Sequence, residues 1–273
     1  MRRRQVVRYL ALAGGTAVSL TTAGCSDAGN GTSQAPSEAS PTKSEDRSTP
    51  APAKDGDGDG FTVCEERQLL EGSEVGRRDI YVEVDWTEGY RPDPAELNRV
   101  KDVYETAPVE ASQGANPGMN LHITYGETVP AQSEPFGLTD LRDYRSEYFE
   151  NAGRGYHYAL FVEEVEPPAF GREDDGHVLV QSRLSDSERS TTQVFAHELG
   201  HALGLTRDVF EGVDSARTHS FEEYPSVMNY DGRDGYLDFS EGNNSEADFD
   251  DWGYLEENLS VPGTGALETT DDC

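Results

Sequence analysis

The sequence predicts an α/β domain in which strands alternate with helices in packed layers. Two observations carry this expectation. Short apolar runs with strand character recur from residue 79 onward, and stretches at helical spacing separate them. Asp79 to Trp86 alternates and reads as the first strand. Pro94 to Thr106 places Leu97, Val100, Val103 and Tyr104 at helical spacing, with Pro94 acceptable in the first turn. Met119 to Tyr125 reads as a strand, Leu138 to Glu150 as a helix, and Tyr156 to Glu163 and His177 to Ser182 as two further strands. A helix is expected from about Ser190 to Leu205 and a last one over Ala247 to Asn258. No internal repeat is visible.

Composition narrows the function. The 273 residues carry a net charge of −31, and Lys occurs only at Lys43, Lys54 and Lys101. Carboxylates are spread along the whole chain, so phosphate would be repelled, and nucleic-acid binding is excluded. A surface this rich in carboxylates stays hydrated where salt screens other charges, the pattern expected of an extreme halophile. Apolar residues make up 34% of the chain. The shortfall is concentrated in residues 26–60 and in the tail 263–273, which leaves a core-forming domain over residues 77–262.

The N-terminus reads as an export address. Paired arginines in Arg3-Arg4-Gln5-Val6-Val7-Arg8 resemble a twin-arginine signal, and Tyr9 to Leu20 is too short and weakly apolar to span a membrane. Thr22-Ala23-Gly24-Cys25 resembles a lipobox, which implies a lipid on Cys25 and residence on the outer face of the cell membrane. Residues 1–25 are thus read as a lipoprotein signal. Residues 26–54 lack large apolar side chains and read as a flexible tether. Of the other cysteines, Cys64 and Cys273 have one intramolecular pairing open to them, a disulfide favoured by an oxidising compartment.

Residues 55–66 fit D-x-D-x-D-G-x5-E, with Asp55, Asp57, Asp59, Gly60 and Glu66 in the required places. Alternate carboxylates can face one ion, Gly60 permits the sharp turn, and Glu66 can close the shell with two oxygens. The segment resembles the isolated Asp-rich calcium loops of extracellular modules, so Ca²⁺ is the expected ligand.

His197-Glu198-Leu199-Gly200-His201 lies within the helix from Ser190. Residues four apart share one helical face, so both imidazoles can bind one Zn²⁺. Glu198 is turned from the metal and suits a general base toward the water that the metal holds. Gly204 follows three residues after His201, and Ser226-Val227-Met228-Asn229-Tyr230 lies downstream.

These two motifs, in this order, resemble the metzincin metallopeptidases, whose signature is H-E-x-x-H-x-x-G-x-x-H followed by a Met-turn. The resemblance implies a twisted mixed sheet packed on helices, with the active helix at the floor of a cleft. It implies Met228 beneath the metal, Tyr230 as a transition-state aid, and the strand before the helix, His177 to Ser182, as the edge that pairs with extended substrate. The expected activity is that of an endopeptidase acting as a monomer on protein or peptide. The specific motifs cover only residues 194–230. One position departs from the pattern: Arg207 stands where the third ligand belongs. Asp208, one residue late, is the expected third ligand by spacing, with Asp214 and His219 as alternatives. His122 and His157 read as packing or surface residues, and His177 as a residue near the substrate edge.

Two rival functions stay open on sequence alone. One is a zinc peptidase whose third ligand is a later glutamate, Glu222 or Glu223. The other is a catalytically inactive binding module, against which the retained Glu198 argues.

Overall fold

The computed structural model describes residues 54–111, 115–184 and 189–268. The expected signal peptide, all of the tether except Lys54, and Cys273 lie outside the described residues. Among the described residues no helix is long and apolar enough to cross a membrane.

The elements run α1 (Val63–Leu69), β1 (Asp79–Thr87), α2 (Pro94–Glu105), β2 (Asn120–Val129), α3 (Leu138–Tyr148), β3 (Tyr156–Val162), β4 (Gly171–Asp174), β5 (His177–Gln181), α4 (Thr191–Ala202) and α5 (Asp251–Asn258). Five strands form one mixed sheet in the order β2-β1-β3-β5-β4. The first four strands of that order are mutually parallel, and β4 alone runs antiparallel, against β5. The chain is therefore an α/β domain whose mixed sheet is packed with helices.

Parallel strands are covered on both faces, and the inner strands show it. On one face Ile80, Val82, Val84 and Trp86 of β1 join Ala159 and Phe161 of β3, Val178 and Val180 of β5, and the apolar sides of α2, α4 and α5. On the other face Tyr158, Leu160 and Val162 meet Leu179, Phe136 and Leu141. The buried carboxylate of Glu83 accepts from the backbone N–H groups of Glu150 and Asn151, both at 2.9 Å, beyond the end of α3. Asp85, on the same face, accepts from Tyr158 Oη at 3.0 Å and Glu127 N at 2.7 Å. Buried charges of this kind persist where donors saturate them.

Two features depart from the sequence expectation. The segment His177 to Ser182 is not a sheet edge, because β3 flanks β5 on one side and β4 on the other. The edge on this side of the sheet is β4, folded back by Asp175 and Gly176, both at positive φ (54° and 77°). An Asp-Gly pair supplies the two left-handed residues that a two-residue hairpin turn requires. The loop 55–66, expected to stand before the domain, packs onto it together with the residues that follow. Thr62 caps α1, and Phe61 and Leu70 bury against Tyr81 of β1. Cys64 is disulfide-bonded.

Candidate active site

Helix α4 is the floor of the site. Ser190 and Gln193 close its N-terminus in a reciprocal capping box, and all but two of its residues are buried. The helix ends at Gly204, whose φ of +113° lies in a region that only glycine enters without strain. The reversal brings the Leu205 carbonyl back to His201 Nδ1 at 2.7 Å. His197 Nδ1 meets the Val227 carbonyl at 2.9 Å. A carbonyl can only accept, so both Nδ1 atoms carry the proton, and both Nε2 lone pairs face the site.

The third member of the cluster is Asp214. Its Oδ1 lies 2.9 Å from His197 Nε2 and 3.2 Å from His201 Nε2, and the two nitrogens are 3.1 Å apart. The three atoms lie close enough together to hold one cation. Tetrahedral zinc ligands at about 2.0–2.1 Å from the ion stand roughly 3.3 Å from each other, close to the observed edges. A donor set of two imidazoles and one carboxylate suits Zn²⁺. The carboxylate and the imidazoles also answer one another's charge. Burial alone would lower His201, yet the Asp214 carboxylate reverses this and holds it up at about 9. Asp214 is held far below the usual carboxylate range, its two imidazole partners outweighing the effect of burial.

Asp208, expected from spacing as the third ligand, is exposed and stands outside this cluster. After Gly204 the chain forms a turn in which Phe210 N–H bonds the Thr206 carbonyl. Phe210 then anchors the segment by stacking on His219 and Phe249. The chain returns to the two imidazoles at Asp214, which takes a left-handed φ of 56° and donates its N–H to the Met228 carbonyl at 3.0 Å. His219 packs flat on Phe210 and takes no part in the cluster. Glu222 and Glu223 are exposed and engaged elsewhere, with Arg233 and Ser220. Neither of these two glutamates stands in the cluster.

Met228 is fully buried beneath α4. A Cβ on Gly200 would stand 2.5 Å from its sulfur, so the glycine lets the turn and the helix approach closely. The turn itself is held by Asp251, which accepts from Tyr224 Oη (2.7 Å), Ser226 Oγ (2.5 Å) and Ser240 N (2.9 Å). Tyr230 stacks on His197 with ring centroids 5.3 Å apart, and the Arg189 guanidinium lies over the Tyr230 ring, 4.8 Å from its centroid.

Glu198 is nearly buried, and burial pushes its carboxyl up to about 7. Gly171, the first residue of β4, admits it: a Cβ there would lie 2.5 Å from Glu198 Cγ. Glu198, Gly171, Ala169 and Tyr230 line two adjoining hollows of about 370 Å³ and 390 Å³. The first extends toward Phe170, Arg189 and Val194, and the second toward His201, Asp214 and Arg207. Among the described residues the exposed large hydrophobic side chains are Phe170 (42%) and Tyr230 (50%), and both border this cleft. Sequence reasoning did not single out Arg189 or Gly171; neither belongs to a motif.

The carboxylates of the 55–66 loop also gather. Asp55, Asp57 and Asp59 form one group, and Asp59, Glu66 and Asp79 a second, with ligand atoms within 4.8 Å of one another in each. Asp79 was not anticipated.

No protein-family model matches the chain, and no curated protein matches it in sequence. Among solved structures it is similar to metalloproteinase-II from Bacteroides fragilis, at 13% identity and a TM-score of 0.40. That alignment covers 66% of this chain and 53% of the other, so the chain spans about half the length of the structure it matches.

Proposed function

We propose that the chain is a zinc-dependent endopeptidase of metzincin type, with His197, His201 and Asp214 as metal ligands, Glu198 as general base and Tyr230 as transition-state donor. The observation that carries this reading is the convergence of two Nε2 lone pairs and one carboxylate oxygen at the floor of a cleft, beside a buried glutamate that is not itself in the cluster.

When bound, Zn²⁺ supplies a Lewis acid that polarises a carbonyl and lowers the pKa of water toward neutrality. The protein supplies the rest. Burial gives Glu198 a proton affinity near that of the medium, so it can take a proton from the attacking water and return it to the leaving amine. Tyr230 keeps its phenolic proton, because burial and the neighbouring Asp214 charge both raise its pKa, and so it remains a donor. Such a donor, aimed where negative charge develops, lowers the barrier. The β4 edge beside Glu198 offers a template for an extended peptide, and Phe170 an apolar contact at its flank.

The test is Glu198→Gln. It should retain zinc and lose turnover on casein by roughly a hundredfold or more, the usual scale of general-base catalysis. A variant that cleaves casein at the parent rate removes the mechanism. The cellular placement we propose, outside the membrane on a lipidated Cys25, rests on residues 1–25 alone; mass spectrometry of the mature N-terminus checks it.

A further inference from the structure

The cluster around Asp59 differs from a patch of surface acid. Glu66 is only 3% exposed, yet neither of its carboxylate oxygens has a hydrogen-bond partner. Asp57, 7% exposed, leaves Oδ1 without a partner as well. Three buried acceptor atoms in one small region thus lack donors. A buried carboxylate oxygen with no donor is costly, and packing several together adds repulsion. The cations nearby do not answer them. Arg77 reaches the backbone carbonyls of Glu105 and Met119, and Arg78 that of Glu110. Among the described residues no Arg or Lys forms an ion pair with Asp55, Asp57, Asp59 or Glu66.

The remaining oxygens are held as ligand atoms are held. Asp55 accepts from Gly58 N at 2.7 Å and Gly60 N at 3.0 Å. Asp57 Oδ2 accepts from Gly76 N at 3.0 Å, and Asp59 Oδ2 from Asp79 N at 2.8 Å. Asp79 in turn is fixed by Asn120 (2.9 Å), His122 (2.6 Å) and Glu74 N (3.0 Å). In each group the ligand atoms lie close enough together to share one Ca²⁺ at bonds of about 2.4 Å, and Asp59 belongs to both groups.

We propose that Asp55, Asp57, Asp59, Glu66 and Asp79 bind one structural Ca²⁺, with Asp79 completing from β1 a site that the loop alone leaves open. Hard, anionic oxygen ligands in this number select Ca²⁺ over softer metals. The ion fastens residues 55–66 to the first residue of the central strand β1. It is a clamp on the sheet, independent of the zinc reading.

The full chain, stripped of metal and reloaded with stoichiometric zinc, is titrated with CaCl2 by calorimetry and by thermal melting. Salt of about 1 M shortens the Debye length to about 3 Å and suppresses loose binding at surface carboxylates. The parent should bind one Ca²⁺ and melt higher with it. Asp79→Asn and Asp57→Asn should each weaken binding at least tenfold, the least expected for a group so close to the ion, while the exposed Asp143→Asn leaves it unchanged. Glu66→Gln should reverse sign: without Ca²⁺ it melts above the parent, because a buried uncompensated charge is gone, and with Ca²⁺ below it. No saturable Ca²⁺ binding by the parent overturns the proposal. So does parent-like affinity in Asp57→Asn and Asp79→Asn, or a Glu66→Gln variant that melts below the parent with and without Ca²⁺. Zinc content and caseinolysis, measured on the same samples, report on the peptidase reading separately.

Discussion

Gly200→Ala probes how the metal helix and the turn beneath it depend on each other. In an isolated helix the change stabilises by about 1 kcal/mol, since glycine is a poor helix former. Here the new Cβ would lie 2.5 Å from Met228 Sδ, 2.9 Å from Phe239 Cε1 and 3.3 Å from Met228 Cε. Carbon contacts are comfortable at about 3.5–4.0 Å, so the turn must yield by about 1 Å. Overpacking of a filled core costs about 1–3 kcal/mol. The net expectation is a loss of about 0–2 kcal/mol, or up to roughly 8 °C in a domain of this size. The larger effect falls on the site. The Met228 carbonyl holds Asp214 N–H, and the Val227 carbonyl holds His197 Nδ1. A displacement near 1 Å there should cost about a hundredfold in turnover. The assay is calorimetric melting of the zinc-loaded protein together with casein hydrolysis. A variant that melts about 1 kcal/mol more stable and cleaves at the parent rate would show that Met228 does not pack against the helix, and would refute the reasoning.

Three further outcomes follow from the geometry. Asp214→Ala should lose zinc on dialysis while Asp208→Ala and His219→Ala keep it, as read by atomic emission; retention by Asp214→Ala would remove it from the ligand set. Tyr230→Phe should lower kcat by about a hundredfold, the scale of a lost transition-state donor, with zinc content and KM little changed; a change in KM alone would make Tyr230 a binding residue. His157 is fully buried, and burial depresses its pKa to about 4, although the Gly176 carbonyl 2.6 Å away opposes the shift. Between about pH 4 and 6.5 the unfolded chain therefore binds a proton there that the folded chain does not. The stability present above pH 6.5 is lost as pH falls, at about 1.4 kcal/mol per pH unit from this residue. His157→Gln should flatten the dependence of the urea midpoint on pH by that amount, and an unchanged slope would contradict the burial argument.

What could be read in advance follows from how local each signal is. The strand at Asp79 and the helix at Pro94 are written in periodicity, and the structure begins both at those residues. The pairing of His197 with His201 needs only helical geometry. β4 was illegible because Gly-Arg-Glu-Asp is polar and its burial intermediate throughout, so no alternation marks it. Its only sign was the turn pair Asp175-Gly176. Helix α1 carried a legible cap in Thr62-x-x-Glu65, hidden by the acidic run before it. Asp79 could not be foreseen as part of the acidic cluster: it lies thirteen residues beyond Glu66, and only the fold of the intervening chain brings it back.

Asp214, given by the sequence only as an alternative to Asp208, is the carboxylate that the fold brings to the two imidazoles. A ligand placed by helical continuation must fall at a fixed distance from Gly204, and on that logic Asp208 was the nearest choice. In this chain the carboxylate is positioned from the other side. Its N–H is held by Met228, its left-handed backbone turns the side chain to the imidazoles, and Phe210 takes up the slack between. The Val227 and Met228 carbonyls thus hold two members of the cluster, His197 and Asp214, and Asp251 holds that turn through Ser226. Docking on the Met228 carbonyl, and not a fixed offset from the helix, is what brings Asp214 to the two imidazoles.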